Sequence, residues 1–371
     1  MVDITSQQNS HRTVRMQTIL RILPFSSFHV PTPILFTNNV SQNNLRNASW
    51  RRISLLCSSR YPHTSNIKQF RSNWVVDPQT GEYSASIPSP TGIPSDPALA
   101  GYGVDQAHEL AAHLAKIEPP IQRVYSSPFY RCIQTIAPTV ASLNRDSANA
   151  EGKGVNVRLE NGIGEWYGTA RFDHPSPATP SLLSTLFPPK LIDTSYEPSI
   201  IPSTNGESIR SLHERCAYAL HHLIEQSDRE GVEAICICTH AASLIAIGRV
   251  LVGRMPESIE EEDFRPFTCG VSVFQRKDNT CSTTVEKWQG AGSQIPRVEW
   301  EGGSGVGGGW NMTVSGDCSF LSGGEERGWR FSGDESFHSN ADKAAGLDAG
   351  SGLGVVIEGR KGSVAKSDSR L

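Results

Sequence analysis

The sequence is short of the features that mark several protein classes. Its eight cysteines, Cys57, Cys132, Cys216, Cys236, Cys238, Cys269, Cys281 and Cys318, are scattered over 371 residues. None sits at the paired spacing of a zinc site or in a dense disulfide framework, so the plain reading is reduced thiols in a cytosolic or nuclear protein, with no metal expected. No apolar run reaches the roughly 18 residues that a membrane helix needs, which excludes that class. Positive charge is not in excess either: 34 Lys and Arg face 38 Asp and Glu, a net charge of -4. A general nucleic-acid binder needs a basic field, and the chain has none overall.

What is there divides into four stretches. Residues 1–65 form a basic, Ser- and Asn-rich leader: up to residue 76 nine basic side chains meet a single acid, Asp3. That composition has no sustained apolar period, so it predicts an unpacked segment. Three readings are open for it: a mitochondrial targeting segment, a disordered tail, or sequence wrongly joined to the gene. The exception is the apolar run Ile53 to Cys57, which could pair as a strand.

Residues 66–290 form one domain, in which the chain reads from Trp74 to about Gln275 as alternating strand and helix. Leu110, Ala111, Leu114 and Ile117 recur at helical spacing within Asp105 to Ile117, and Arg123 to Ser127 follows as a short strand. Val155 to Glu160 reads as another strand. After Gly206-Glu207-Ser208, the residues Ile209, Leu212, Cys216, Leu220 and Leu223 share one helical face. Ala234 to Cys238 is apolar at every position, as in a strand covered on both faces. A helix from about Ala242 to Val252 and a strand from Gly270 to Gln275 complete the pattern. The predicted fold class is α/β, a three-layer sandwich with a mostly parallel sheet flanked by helices, plus irregular N- and C-terminal extensions. Eighteen of the 33 glycines lie after residue 290. Residues 291–340 therefore predict a Gly-rich irregular or β extension, and 341–371 a disordered tail. None of the Gly-rich runs continues as a P-loop, and no cofactor is expected.

Ligands of open α/β sheets sit at the carboxyl ends of the strands. Three strand ends carry polar residues. Arg131 follows the first, in the opening turn of a helix, where a guanidinium and free N–H groups suit a phosphate. Glu160 and Glu165 follow the second, and His240 follows the central strand. Singly, each residue is most simply a surface ion pair, a solvated acid or a structural histidine. Their joint placement points to an anion site.

These segments resemble the histidine phosphatase superfamily, with its phosphoglycerate mutase-like fold, over about residues 70 to 275. Asp96-Pro-Ala-Leu99-Ala-Gly101 with Gln106-Ala107 is similar to the family's D-x-x-L-x-x-x-G-x-x-Q-A stretch, loosely spaced. Ser127-Pro-Phe-Tyr-Arg131-Cys-Ile-Gln134-Thr135 resembles its S-P-x-x-R-x-x-Q-T block. Glu160-Asn-Gly-Ile-Gly164-Glu165-Trp166-Tyr-Gly168 resembles its acid block and implies Glu160, rather than Glu165, as general acid. Gly206-Glu207-Ser208 with Arg215, and Thr239-His240, resemble two further blocks. Phe70-Arg71-Ser-Asn-Trp74 and Glu165-Trp166 look most like a fungal branch that resembles the phosphatase-like subunit of RNA polymerase III transcription factor C.

The resemblance implies a metal-free phosphomonoesterase or mutase that works through a phosphohistidine. Glu160, His240 and Arg131 would be the catalytic set, with Arg71, Arg131 and His240 binding phosphate. The family's chemistry starts at an Arg-His-Gly strand end, and that triad occurs nowhere in the chain. Lys68 stands at the nucleophile position and Ile67 beside it, and a protonated lysine does not attack phosphorus. Two accounts fit: a pseudoenzyme that lost its nucleophile, or a first strand replaced by translated non-coding sequence. The expected partners are a phosphorylated substrate or phosphate-like anion, or protein subunits of a transcription complex, with no direct nucleic acid and no membrane.

Overall fold

The computed structural model describes residues 52–57, 74–77, 79–146, 154–277, 284–333 and 354–357. Ile67, Lys68 and Arg71, and the leader and tail apart from residues 52–57 and 354–357, lie outside the described residues.

The elements run in the order β1 (Arg52–Cys57), β2 (Trp74–Val76), β3 (Tyr83–Ala85), α1 (Gly101–Leu114), β4 (Arg123–Ser126), α2 (Tyr130–Asp146), β5 (Val157–Leu159), α3 (Pro180–Leu186), α4 (Ile209–Arg229), β6 (Ala234–Thr239), α5 (Ala241–Val252), β7 (Val271–Arg276), β8 (Trp310–Asp317), β9 (Gly328–Phe331) and β10 (Gly354–Ile357). Six strands form the main sheet in the order β5-β4-β6-β1-β7-β8. β5, β4, β6 and β1 are parallel; β7 and β8 join antiparallel. This is the expected mostly parallel α/β sandwich.

β6 shows why the layers form. All six of its residues are buried. Ile235 and Ile237 pack with residues of α4 and α5, such as Leu212 and Leu244, whereas Cys236 and Cys238 pack with Leu110 of α1 and Ile133 of α2. Successive side chains of a strand point to opposite faces, so one apolar strand supplies both cores. Four further elements agree with small changes of boundary: α1 starts four residues before Asp105, α5 one before Ala242, β5 lies inside its predicted span, and β7 is shifted one residue along, to Val271–Arg276. α4 opens where the Gly-Glu-Ser block ends, because the Ser208 side chain accepts from the Ser211 N–H and caps it.

Three boundaries move. β1 comes from within the leader and fills the slot between β6 and β7, pairing Cys57 with Thr239 and Arg52 with Ala234. Without it those neighbours would face each other across an unsatisfied gap. The main sheet therefore begins before residue 66. It also continues past residue 290, since β8 pairs along β7, and Trp300, Val306, Trp310, Trp329 and Phe331 join the α4/α5 core. β10, inside the expected tail, pairs with β9. Among the described residues no helix is long and apolar enough to cross a membrane.

Candidate functional site

Because β4, β5 and β6 are adjacent and parallel, their carboxyl ends open on the same edge of the sheet. The chain leaves β4 through Ser127-Pro128-Phe129 and turns into α2. Asp96 fixes that turn: its carboxylate accepts from the Tyr130 N–H at 2.7 Å and from the Arg131 N–H at 3.4 Å. Gln134 of the same block holds the Asp96 loop through the Leu99 N–H at 2.7 Å. At the end of β6, Thr239 donates to the Ile163 carbonyl and Ser243 to the Gly164 carbonyl, both at 2.6 Å. These two hydroxyls draw the acid block against His240.

The result is a compact cluster. One guanidinium nitrogen of Arg131 donates to Glu165 Oε2 at 2.8 Å and lies 3.2 Å from His240 Nδ1. The other reaches the Ser95 carbonyl at 3.0 Å and Asp96 Oδ1 at 3.2 Å. His240 Nδ1 is 3.1 Å from Glu165 Oε2, and its Nε2 is 2.7 Å from the Ser127 hydroxyl. Phe129 closes one side, edge-on to the imidazole at 5.2 Å and beneath the guanidinium at 4.6 Å. Relative exposure is 3% for Arg131, 7% for Glu165 and 0% for His240. Burial opposes charge on His240, yet Cys132 and Glu165 hold its pKa above the ordinary imidazole range. Burial raises the Asp96 carboxyl, with Arg131 pulling the other way.

Arg131 and His240 thus meet, and Glu160 does not join them. The Glu160 carboxyl caps a 3-10 turn at Asn161–Ile163, accepting from the Gly162 N–H at 2.7 Å. Its other oxygen accepts from the Tyr196 hydroxyl at 2.7 Å and the Ser199 N–H at 3.0 Å. Fully buried, it has its pKa raised. The acid in contact with Arg131 and His240 is Glu165, five residues on, and not Glu160 as the resemblance implies. Ser127 and Asp96 belong to the motif segments, and their contacts with His240 and the α2 turn follow from no motif position. Glu160→Gln is expected to cost about 1–3 kcal/mol, because its amide NH2 must face either the Gly162 or the Ser199 N–H and leave a buried donor without an acceptor. Urea melts with an unchanged m-value would read this, and a variant as stable as the parent would contradict the capping role.

A cleft of about 560 Å³ opens beside the cluster, lined among others by Phe129, Glu165, Tyr167, Tyr196, Glu197 and Glu207. No lysine or arginine lines it among the described residues. Its floor is held by a buried ion pair, with Arg215 Nε 2.9 Å from Glu207 Oε1 and the Arg215 guanidinium donating to the Gly162 carbonyl at 2.9 Å. Gly206 is required there. Its φ is +78°, and a Cβ would come 2.1 Å from the Gly168 carbonyl oxygen.

A model of the histidine phosphatase superfamily (branch 1) matches residues 81–289. The chain belongs to that superfamily. The transcription factor tau 55 kDa subunit of Saccharomyces cerevisiae is 33% identical over 281 residues, 74% of this chain and 59% of that protein. The ecdysteroid-phosphate phosphatase of Drosophila melanogaster is 31% identical over 178 residues, 47% of this chain and 22% of that protein. The chain therefore spans less than two thirds of the length of either relative. Among solved structures, the ecdysone phosphate phosphatase from Bombix mori in complex with tungstate is 18% identical with a TM-score of 0.43, covering 67% of this chain and 98% of that one.

Proposed function

We propose that this histidine phosphatase superfamily member is a non-catalytic, phosphatase-like subunit of a protein assembly of the transcription-factor kind. The observation that carries the reading is the closure of the cluster on itself. Both terminal nitrogens of the Arg131 guanidinium are directed to Ser95, Asp96, Glu165 or His240, and the guanidinium is nearly inaccessible. A phosphate dianion would have to displace Glu165 from both partners, and the cleft it enters offers carboxylates rather than cations. The absence of Arg-His-Gly from the sequence points the same way, since covalent transfer needs an imidazole nucleophile. Similarity to the tau 55 kDa subunit over 74% of the chain supplies the kind of assembly, and with it a nuclear setting.

The test compares turnover of p-nitrophenyl phosphate by the chain and by a variant carrying Cys57→Arg, Ser58→His and Ser59→Gly. The triad is placed there because Cys57 pairs with Thr239, the residue before His240. No turnover by either protein is the expected result. Turnover by the unaltered chain overturns the reading. Turnover by the triple variant alone overturns the closed-site account and favours the second reading, a phosphomonoesterase pocket in which Glu165, His240 and Arg131 act and only the nucleophile is missing.

A further inference from the structure

The segment beyond the family match reaches the site from behind. β8 and β9 both lie after residue 289. From β9, the Phe331 ring sits 5.3 Å from Trp166 at 74°, and the Trp329 ring 6.3 Å from it at 69°. Trp329 and Phe331 are themselves 4.9 Å apart at 72°. Three edge-to-face contacts close a triangle of buried rings, the geometry that aromatic quadrupoles favour. Arg249 backs it, its guanidinium carbon 5.6 Å from the Phe331 centroid, and is held in turn by Asp263 at 2.9 Å.

Trp166 passes this support forward. Its indole N–H donates to the Glu207 carbonyl at 3.0 Å, which sets the ring plane. Its backbone N–H donates to Glu165 Oε1 at 3.2 Å. The other oxygen of Glu165 holds Arg131 and His240. A carboxylate anchored through both oxygens keeps its direction only while the backbone beside it is fixed, and here that backbone belongs to Trp166.

We propose that Trp329 and Phe331 are positioning residues for Glu165: the C-terminal extension braces Trp166 and thereby sets the Arg131, Glu165 and His240 cluster. The proposal stands on geometry and holds whether or not the site turns over a substrate. Three rings in a core also contribute to stability, so the test needs a readout that packing alone leaves unmoved.

That readout is the titration of His240 in the full chain, followed by NMR of carbon-13-labelled histidine and assigned with His240→Asn, alongside thermal melting. In Trp329→Ala and Phe331→Ala, Glu165 is freed from its place at 3.1 Å, and the His240 pKa should fall by at least about half a unit, a threefold change in its proton-binding constant. Trp329→Phe should keep the parent value. Leu143→Ala, twelve residues from Arg131 along α2, should lower the melting temperature without moving His240. If either alanine variant does not fold, Trp329→Leu is read in the same way, since it fills space without an aromatic edge. Variants that melt earlier while His240 titrates as in the parent overturn the proposal.

Discussion

Replacing Arg131 with alanine should lower the stability of the fold by about 3–5 kcal/mol, the cost of breaking a buried ion pair on one side only. Two buried carboxylates, Asp96 and Glu165, share this guanidinium. Asp96 also caps α2, so it cannot turn away without uncovering the Tyr130 N–H. Location decides the size of the effect. Arg254 makes a closer pair with Glu261, at 2.7 Å, but both side chains reach into water, and Arg254→Ala should cost far less than Arg131→Ala. Urea unfolding at pH 7 measures both. The deficit of Arg131→Ala should shrink as the pH falls, because burial has raised the Asp96 carboxyl and a proton then replaces the lost cation. Combining Arg131→Met with Asp96→Asn and Glu165→Gln should recover most of the loss. An alanine variant within about 1 kcal/mol of the parent would mean that the cluster is solvated and open, and the closed-site reading would fall with it.

Most of the sheet and its helices could be read from the sequence because their patterns are local. Ile209, Leu212, Cys216, Leu220 and Leu223 repeat at helical spacing and all lie buried on α4. The five apolar residues from Ala234 predicted a strand covered on both faces, and β6 is one. The site divides differently. Arg131 and His240 were legible because each follows a strand directly, so strand order fixes where it emerges. Between Glu160 and Glu165 lies the turn at Asn161–Ile163, and it directs the first carboxyl toward Tyr196 and leaves the second to face Arg131. A motif gives residue types and spacing, not the direction taken after a turn. β1 was legible only as an apolar run, since its place depends on a vacancy between two strands about 180 and 215 residues further along. In the C-terminal extension, glycine content hid β8 and β9, whose reason for folding is the core offered to Trp310, Trp329 and Phe331.

His213 should make the fold acid-sensitive well above the range in which carboxylates titrate. It lies on α4 with no exposure, its Nδ1–H donating to the Ile209 carbonyl at 2.7 Å. Nε2 has no partner among the described residues, and the ring stacks on Trp300 at 6.0 Å and lies 6.4 Å from Phe331. Burial lowers its pKa to about 4, the Ile209 carbonyl opposing and the Arg249 and Arg210 charges assisting. The sign follows from which state takes the proton. Above pH 6.5 the ring is neutral folded and unfolded, and stability is complete. Between 6.5 and about 4 only the unfolded chain is protonated, so stability falls as the pH falls, by about 3 kcal/mol in all at roughly 1.4 kcal/mol per unit. Below that range this group adds no further loss. His174, His221 and His222 are shifted downward too, so the parent's slope is shared. Urea melts of the parent and of His213→Phe at pH 7, 6 and 5 isolate the one residue. The phenyl ring keeps the contacts with Trp300 and Phe331 and removes the proton site. The difference in stability between the two proteins should shift in favour of the variant as the pH drops, and curves that stay parallel from pH 7 to 5 would show that His213 is not held neutral by its surroundings.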